Sequence, residues 1–312
     1  MNSLLSKNEL YKKNEFKKLC FILGFKRSEI KTLLDGIDKN YKIWSEVKTD
    51  KQGKPKTYSD GTEKKRTFRN PSTLLKLVQK RIKINIIDKV ELPHNVHGGV
   101  KKRSNITNAK VHQGNKYLFE TDLQEFYPNI SKDVVYKTFL ELGYSSHFSH
   151  WLTKLTTKDN QLPQGSPASQ GISNLVFMKT DHKLNQFCKT NSITFTRYVD
   201  DLTFSSQQDF GNKIQEILDI VINDNFKISR RKTVYDGKQT ITGIQPFLNK
   251  IDAPKHIIEK AKNEIETNAD KKPYTIYRNN ILKTNKKSKS LETPYIHGDG
   301  GENPSTCASE KH

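Results

Sequence analysis

Long apolar runs and closely spaced cysteines are both missing from this sequence. No window holds about 18 consecutive apolar residues, the length that a membrane-spanning helix requires, and the N-terminus lacks the apolar stretch of a secretory signal. The three cysteines, Cys20, Cys188 and Cys307, lie far apart and have no metal-site spacing. We therefore expect a cytoplasmic protein that does not enter membranes, with two thiols in its core and one in a tail.

Acidic residues are also scarce relative to basic ones. Lys and Arg number 54 and Asp and Glu 34, which gives a net charge of +20 over 312 residues. Such an excess attracts polyanions, of which nucleic acid is the commonest. A highly charged surface that only keeps the protein in solution is the alternative. The length is sufficient for a sizeable core and for two or three subdomains.

Hydrophobic periodicity and turn signals predict an α+β fold, with helices packed on a small antiparallel sheet. Helices are predicted over 7–23, from about 28, and over 72–90, 131–142, 168–189, 210–224 and 253–268. Strands are predicted over 41–44, 116–121, 193–198 and 202–205. A hairpin over 48–69, turned at Asp60-Gly61, carries eight basic and three acidic residues, and a second hairpin turns at Asp236-Gly237.

Three carboxylates stand at predicted strand ends. Asp122 ends one strand, and Asp200 and Asp201 lie in the turn between two others. Nucleotidyl transfer uses two divalent cations about 4 Å apart, and Mg²⁺ prefers carboxylate oxygens. An isolated Asp-Asp pair is more often a solvated turn. The aromatic strand before this pair, together with Asp122, favours instead a site for two Mg²⁺ ions, with Mn²⁺ as a substitute.

Two further positions suggest contacts with a nucleotide sugar. Tyr127 follows Asp122 by five residues, and a ring beneath the sugar would collide with a 2′-hydroxyl. A core aromatic is the alternative. Gln164 lies in Leu162-Pro-Gln-Gly-Ser-Pro-Ala-Ser169, where glycine and proline bring the backbone close to a ligand. Its amide could donate to a sugar or base, although an ordinary loop before a helix has the same composition.

Three basic residues have side chains suited to phosphate. Lys65 and Arg66, at the end of the predicted hairpin, could grip a triphosphate through charge-assisted hydrogen bonds. Lys232 could protonate the pyrophosphate that leaves. Taken singly, each of the three would also be ordinary on a solvated surface.

The order of these motifs resembles the palm of reverse transcriptases, and in finer detail that of bacterial retron reverse transcriptases. The palm motifs are Asp122, Leu162-Pro-Gln-Gly165, Tyr198-Val-Asp-Asp201 and Lys232-Thr233. The retron-like elements are Asn108-Ala-Lys-Val-His112, Ile241-Thr-Gly243 and the loop His97-Gly-Gly-Val-Lys-Lys-Arg103. The resemblance covers roughly residues 60–245. Val199 fills a position where retron enzymes commonly have Ala.

The resemblance implies a right-hand polymerase of fingers, palm and small thumb. Residues 1–115 would form fingers and N-terminal helices, 116–245 the palm with finger elements interleaved near 145–170, 246–290 a basic helical thumb, and 291–312 a disordered tail. The implied roles are metal binding for Asp122, Asp200 and Asp201, sugar selection for Tyr127, nucleotide binding for Gln164, triphosphate binding for Arg66 with Lys65 beside it, and contact with template RNA for Asn108 and His112.

The implied activity is RNA-directed DNA synthesis in the bacterial cytoplasm. The template would be a structured non-coding RNA, and the substrates deoxynucleotide triphosphates. The first deoxynucleotide would join the 2′-hydroxyl of an internal guanosine of the RNA, so that the product is a branched RNA–DNA hybrid. A separate effector protein would act with this hybrid in antiphage defence, and host RNase H would remove the template. The alternatives are another bacterial reverse transcriptase, of abortive-infection or group II intron type, and a catalytically silent RNA-binding module.

Overall fold

A computed structural model describes residues 7–50, 53–58, 60–236 and 240–285. Helices and strands are interspersed along this part of the chain. The helices are α1 (Lys7–Leu23), α2 (Arg27–Asp35), α3 (Thr73–Asn85), α4 (Asn105–Val111), α5 (Phe126–Asn129), α6 (Lys132–Glu141), α7 (Ser146–Thr156), α8 (Ser169–Thr190), α9 (Ile214–Asn223), α10 (Lys255–Glu266) and α11 (Pro273–Lys283). The strands are β1 (Tyr41–Val47), β2 (Lys65–Pro71), β3 (Tyr117–Asp122), β4 (Thr194–Tyr198), β5 (Asp201–Ser206), β6 (Val234–Tyr235), β7 (Gln245–Pro246) and β8 (Ile251–Asp252). The predicted mixture of helices with small antiparallel sheets is confirmed.

A four-stranded antiparallel sheet occupies the middle of the chain, in the order β4-β5-β3-β6. Successive side chains of its strands point to opposite faces, and the rings of Phe195 and Phe204 stack on one of these faces with centroids 4.7 Å apart. The two phenylalanines are partners in the register of β4 and β5, and a slip of one residue would move a ring to the other face and break this stack. The register of β3 and β5 places Asp122 opposite Asp201. Of the second predicted hairpin, β6 pairs with β3, whereas Gly237 lies outside the described residues.

The main core runs from the N-terminal helices through α3, α7 and α8 to this sheet. Ser72, Ser131 and Ser145 begin helices α3, α6 and α7, each accepting a backbone N–H at the helix start. Such a cap stabilises a helix by about 1 kcal/mol. Cys20 and Cys188 are buried free thiols, as predicted, and Cys307 lies outside the described residues. No helix among those described is long and apolar enough to cross a membrane.

The basic hairpin, residues 41–71, forms a separate two-stranded sheet of β1 and β2. Its paired strands extend well beyond the predicted 48–69, down to the pair Tyr41 and Pro71. The predicted turn at Asp60-Gly61 is present. An earlier turn, which was not predicted, is closed by a 2.9 Å hydrogen bond from Asp50 N to Lys54 O. The prediction of a single turn is therefore corrected to two successive turns.

A second, smaller core joins α4 to the C-terminal helices α10 and α11. The helix predicted over 253–268 is confirmed by α10, whereas α11 was not predicted, although Pro273 at its first position is a usual helix start. The carboxylate of buried Glu264 accepts the backbone N–H groups of Tyr274 and Thr275, at 3.0 and 2.8 Å. These bonds fix the start of α11 against α10. The predicted tail, 291–312, lies outside the described residues.

Candidate active site

Three aspartates meet where β3 and β5 end. Asp122 pairs with Asp201 in the sheet register, and the N–H of Leu123 donates to the carbonyl of Asp200 at 2.9 Å. One carboxylate oxygen from each of Asp122, Asp200 and Asp201 lies within 4.8 Å of the other two. Strand pairing therefore brings together acids that are separated by some 80 positions in the sequence.

The turn between β4 and β5, Tyr198–Asp201, is called here the carboxylate turn, and it contains a strained residue. Val199 has a φ of +61°. A β-branched residue is a rare occupant of this region because its side chain crowds the backbone. Such a conformation costs about 1–3 kcal/mol and persists only where the surroundings hold it.

Arg197 provides part of that support from beneath the turn. Its guanidinium donates to the carbonyl of Val199 and to Oδ1 of Asn174, both at 2.9 Å. It also forms a two-pronged pair with Asp181 on α8, at 2.9 and 2.6 Å. Both charged side chains are completely buried. A bidentate pair of this kind has a defined geometry, so the carboxylate turn is tied to α8.

Gly98 closes the other side of the carboxylate turn. The N–H of His97 donates to the carbonyl of Arg197 at 2.8 Å, and Asn174 Nδ2 donates to the carbonyl of Gly98 at 2.9 Å. A Cβ atom added at Gly98 would lie 2.4 Å from the backbone nitrogen of Val199. The retron-like loop that begins at His97 is thus a packing partner of the carboxylate turn, and only glycine fits there.

Burial and repulsion between neighbouring charges make the carboxyl groups of Asp200 and Asp201 weaker acids. Burial, followed by the charges of Asp200 and Asp122, raises the pKa of Asp201 to about 7. Burial, followed by the charge of Asp122, also raises the pKa of Asp200. A divalent cation would relieve this repulsion, and a donor set made only of carboxylate oxygens suits a hard cation. The three aspartates therefore fit a metal site.

A cavity of about 970 Å³ opens between the basic hairpin and the aspartates. Asp122 lines it directly. Three acidic side chains line it in all, against six cationic ones. The cationic residues are Lys48, Lys56, Lys64, Arg66, Arg230 and Lys232. Concentrated positive charge beside a metal site attracts a ligand that carries several phosphates.

The two basic residues predicted at the hairpin differ in position. Arg66 lines the cavity, whereas Lys65 does not. Successive residues of a strand point to opposite faces, so the neighbour that shares the face of Arg66 is Lys64. Lys64 therefore shares the cavity face with Arg66, and the contact of Lys65 with a triphosphate stays a prediction.

Lys232 lies against the metal-site candidates. Its Nζ atom is 2.9 Å from Oδ1 of Asp122, while most of its side chain is exposed. Partial burial favours the neutral amine, but the hydrogen bond and charge of Asp122 outweigh it and raise the pKa of Lys232. The ammonium group therefore keeps its proton at the edge of the cavity, which is compatible with the predicted role as an acid.

Tyr127 and Gln164 are not among the residues that line this cavity. Tyr127, in α5, is half-buried against the main core. Burial, followed by the charge of Asp200, raises the pKa of its hydroxyl to about 12. The carbonyl of Gln164 accepts the N–H of Arg69 in β2 at 2.8 Å, so its loop is fastened to the base of the basic hairpin.

The predicted RNA contacts of Asn108 and His112 are not available in this structure, because both side chains are buried. His112 instead joins two strands of the sheet, with its ring nitrogens 2.6 Å from Ser205 Oγ and 2.6 Å from Thr196 Oγ1. Burial lowers the pKa of His112 to about 3, which keeps the ring neutral. These contacts give His112 a role in holding the sheet together.

The two short retron-like elements meet each other. Asn108 Nδ2 lies 3.5 Å from Thr242 Oγ1 of Ile241-Thr-Gly243, and Asn105 Nδ2 donates to the carbonyl of Thr242 at 3.3 Å. Asn105 also donates to the hydroxyl of Tyr277 in α11, at 2.8 Å. Together these contacts attach α4 to the C-terminal helices.

The support beneath the carboxylate turn was not predicted from the sequence, although one signal was present. In Phe195-Thr-Arg-Tyr198 the arginine occupies the same face of the strand as buried Phe195. A charged side chain at an inward position requires a buried partner. That partner, Asp181, lies in a helix predicted only as part of the range 168–189.

A comparison with protein families gives one match over more than half of the chain. Residues 50–244 match the family described as Reverse transcriptase (RNA-dependent DNA polymerase). The matched range contains the three aspartates, the basic hairpin from residue 50 onward and the support beneath the carboxylate turn.

Several individual proteins are similar to this chain, and they are retron reverse transcriptases. The Retron Se72 reverse transcriptase of Salmonella heidelberg (strain 579083-10) is 30% identical over 238 residues, which is 72% of this chain and 60% of the relative. The Retron Ec86 reverse transcriptase of Escherichia coli is 33% identical over 192 residues, 59% of each chain. The Retron Mx162 reverse transcriptase of Myxococcus xanthus is 30% identical over 61% of this chain and 46% of its own. The matches therefore span about half to three fifths of these relatives.

Proposed function

The chain belongs to the reverse transcriptase family of RNA-dependent DNA polymerases, and from this premise we propose that it copies a structured non-coding RNA into DNA. The observation that carries the proposal is the meeting of three carboxylates with a cationic cavity. Membership of the family implies the use of divalent metal. We assign this metal to Asp122, Asp200 and Asp201, as two Mg²⁺ ions.

The metal site and the cavity divide the chemistry between them. Divalent cations at the three aspartates would activate the attacking hydroxyl and neutralise the triphosphate. Arg66, Lys64 and their cationic neighbours bind and orient the phosphates through charge-assisted hydrogen bonds. Lys232, which is charged beside Asp122, is placed to give a proton to the leaving pyrophosphate. Gln164, fastened at the base of the basic hairpin, would contribute to the pocket of the incoming nucleotide.

Tyr127 selects deoxynucleotides in this proposal, since its ring packs against the main core and its hydroxyl is close enough to Asp200 for that charge to raise its pKa. Replacing it with Ala should raise ribonucleotide incorporation relative to deoxynucleotide, because the clash with the 2′-hydroxyl is removed. Tyr127→Phe keeps the ring and should keep the selectivity. Single-turnover rates with both nucleotides on one primed template measure this ratio. An unchanged ratio in the Ala variant would remove Tyr127 from the selectivity residues.

The regions of the polymerase follow from the same proposal. Residues 1–115 would be fingers with N-terminal helices, 116–245 the palm and 246–290 a small thumb. The sheet that carries the aspartates lies within 116–245, and the helices α10 and α11 lie within 246–290. The exposed cations of the basic hairpin suit a role in the fingers.

The retron-type product is the finer part of the proposal, and it rests on the similarity to retron reverse transcriptases and on the elements at Asn108 and Thr242. In it, DNA synthesis starts at a 2′-hydroxyl of the RNA and leaves a branched hybrid. A separate effector protein, host RNase H and a part in antiphage defence belong to the same proposal, as does a bacterial cytoplasmic location.

The test is to purify the chain with its bound nucleic acid, supply deoxynucleotides with Mg²⁺, and sequence the products before and after debranching. DNA joined to RNA through a 2′–5′ branch is the expected result. Unbranched DNA would favour another type of bacterial reverse transcriptase. Bound RNA without any DNA product would favour the catalytically silent RNA-binding module.

A further inference from the structure

A second cavity lies among the N-terminal helices, and it shares no lining residue with the first. Its volume is about 500 Å³, and it is lined from α1, α2 and α7. It contains no part of the sheet or of the basic hairpin. The reaction described above therefore makes no use of it.

The charge around this cavity is strongly positive and unbalanced. Four lysines line it, Lys12, Lys13, Lys31 and Lys154, against a single carboxylate, Asp35. In the part of the chain that the structure describes, none of the four lysines forms an ion pair. The pKa of His150, which also lines the cavity, is lowered by its burial and then by Lys154 and Lys12. Unpaired charges of one sign in a concave surface favour the binding of an anion.

The same cavity also has aromatic walls. Trp151 and Phe16 line it, with their rings edge to face at a centroid distance of 5.0 Å. His147 lies on another side of the Trp151 ring, at 6.1 Å. Trp151 is only partly buried. A phosphate alone would not need an aromatic surface, whereas single-stranded nucleic acid uses cations for its backbone and aromatic rings for its bases.

Folding does not explain the lysines. The contacts that hold α1, α2 and α7 together are made by fully buried leucines such as Leu19, Leu33 and Leu152. By contrast, Lys12, Lys13 and Lys31 are exposed, and none of them forms an ion pair with another of the described residues. Their mutual repulsion disfavours the folded state slightly, so a ligand is the simpler account of their arrangement.

We propose that this second cavity binds a single-stranded segment of RNA, with phosphates at Lys12 and Lys31 and a base against Trp151. The proposal rests on the proposed function in taking RNA as the ligand. Because the first cavity holds the reacting nucleotide, the second would hold a distant segment that is not being copied. It would anchor the RNA while the copied part moves through the active site.

The sequence offers a direct probe, because it contains only two tryptophans, Trp44 and Trp151. In the full chain carrying Trp44→Phe, all tryptophan emission comes from Trp151. Titration with a single-stranded oligoadenylate of about 10 nucleotides, a length within the range of such sites, should quench this emission. Anisotropy of a labelled oligoadenylate reports total binding in the same samples.

Charge-reversal variants locate the binding. Lys12→Glu with Lys31→Glu should raise the concentration for half-maximal quenching at least about tenfold, because phosphate contacts are lost. The matched control, Lys17→Glu with Lys18→Glu, makes the same change in net charge on exposed positions of α1 outside the cavity. It should raise that concentration less than about threefold. Trp151→Phe in the otherwise unaltered chain keeps a ring and should retain most of the affinity measured by anisotropy.

Three outcomes would overturn the proposal. One is unchanged Trp151 emission when anisotropy shows that RNA is bound. Another is an equal loss in the two charge-reversal variants. The third is quenching by polyglutamate and not by RNA, which would assign the cavity to an acidic protein. Primer extension by the Trp44→Phe chain is measured separately, so that a failure of the proposed polymerase activity is distinguished from a failure of this site.

Discussion

The carboxylate turn and the basic hairpin are built in opposite ways, although Asp122 connects them: it lines the cavity of the hairpin and clusters with Asp200 and Asp201 of the turn. The carboxylate turn is held from below by the fully buried pair Arg197 and Asp181 and by the close approach of Gly98. The basic hairpin is a two-stranded sheet whose first strand is exposed along almost its whole length. Metal ligands must keep their distances from one another, so they need a rigid support. Cations that bind a flexible polyphosphate need charged side chains that extend into solvent, and an exposed sheet provides them.

The largest effect should come from the carboxylates themselves. Asp200→Asn with Asp201→Asn keeps the shape of the turn but removes two metal ligands. We expect primer extension to fall by at least about a thousandfold, which corresponds to the loss of about 4 kcal/mol of transition-state stabilisation. RNA affinity, measured by filter binding, should be nearly unchanged because the cationic surface remains. Extension at more than a trace would contradict the metal assignment.

The next largest effect should come from the Arg197–Asp181 pair beneath the carboxylate turn. Its loss should lower the stability of the protein as well as the rate of primer extension. Asp181→Asn leaves the buried Arg197 charge without its counter-charge, and removal of one partner from a buried pair costs about 3–5 kcal/mol. Another ion pair of α8 is a matched control: Lys179 and Glu141 lie 2.6 Å apart but are mostly exposed. Lys179→Ala should cost less than about 1 kcal/mol. Urea denaturation measures both, and equal costs would show that the turn is not held in the way described.

The hairpin should respond to substitution in binding and not in stability. Arg66→Ala should raise the KM for deoxynucleotides about tenfold, the effect of losing roughly 1.4 kcal/mol from a charged hydrogen bond. Lys65→Ala, on the opposite face of the same strand, should change KM less than about twofold. Neither should change the free energy of unfolding by more than about 0.5 kcal/mol. If Lys65→Ala had the larger effect on KM, the assignment of the two strand faces would be reversed.

The smallest effect is a pH dependence confined to the metal-free protein. The pKa of Asp201 in the folded chain is raised from 3.8 to about 7, and burial, then Asp201, raises that of Glu120 from 4.5 to about 7. At these two carboxyl groups the folded state therefore binds protons more tightly than the unfolded state does, and their contribution to stability should fall as the pH rises from about 4 to about 7. Buried His112, whose pKa is lowered to about 3, acts in the opposite direction over the same range, so the carboxyl contribution must be measured as a difference between variants.

Thermal unfolding in the presence of EDTA measures this contribution as the difference in melting temperature between the unaltered chain and Asp201→Asn. The variant should gain stability relative to the unaltered chain as the pH rises to 7, and added Mg²⁺ should stabilise only the unaltered chain. A difference that is independent of pH without metal would mean that the carboxyl groups do not repel one another as their proximity indicates.

Much of the site follows from the sequence because strand ends are local features. The acids Asp122 and Asp200 stand where runs of β-forming residues stop, and the order of the motifs indicated that they would meet. Which face of β2 carries Lys65 and which carries Arg66 was not predicted. The answer depends on where strand pairing begins, and the pairing starts at Tyr41 and Pro71. The turn at Asp50 and Lys54 was also not predicted, and it moved the boundaries of the paired strands in the basic hairpin.

The burial of Asn108 and His112 illustrates a different limit. Asn108 lies within α4 and His112 follows directly after its last residue, and both side chains are buried. Whether these side chains meet RNA or the protein interior depends on the neighbours of α4. The sheet and the C-terminal helices are those neighbours, and they are distant in sequence.

The sequence by itself determined the α+β class, most of the helices and strands, the basic character and the identity of the three metal-ligand candidates. These features depend on periodicity, turn chemistry and residue type, which act over a few neighbouring positions. Only the tertiary structure decided that Arg197 and Asp181 hold the carboxylate turn, and that lysines from three helices surround a second cavity. Both arrangements join residues from separate elements, and their energies depend on burial and distance, which exist only once the chain has folded.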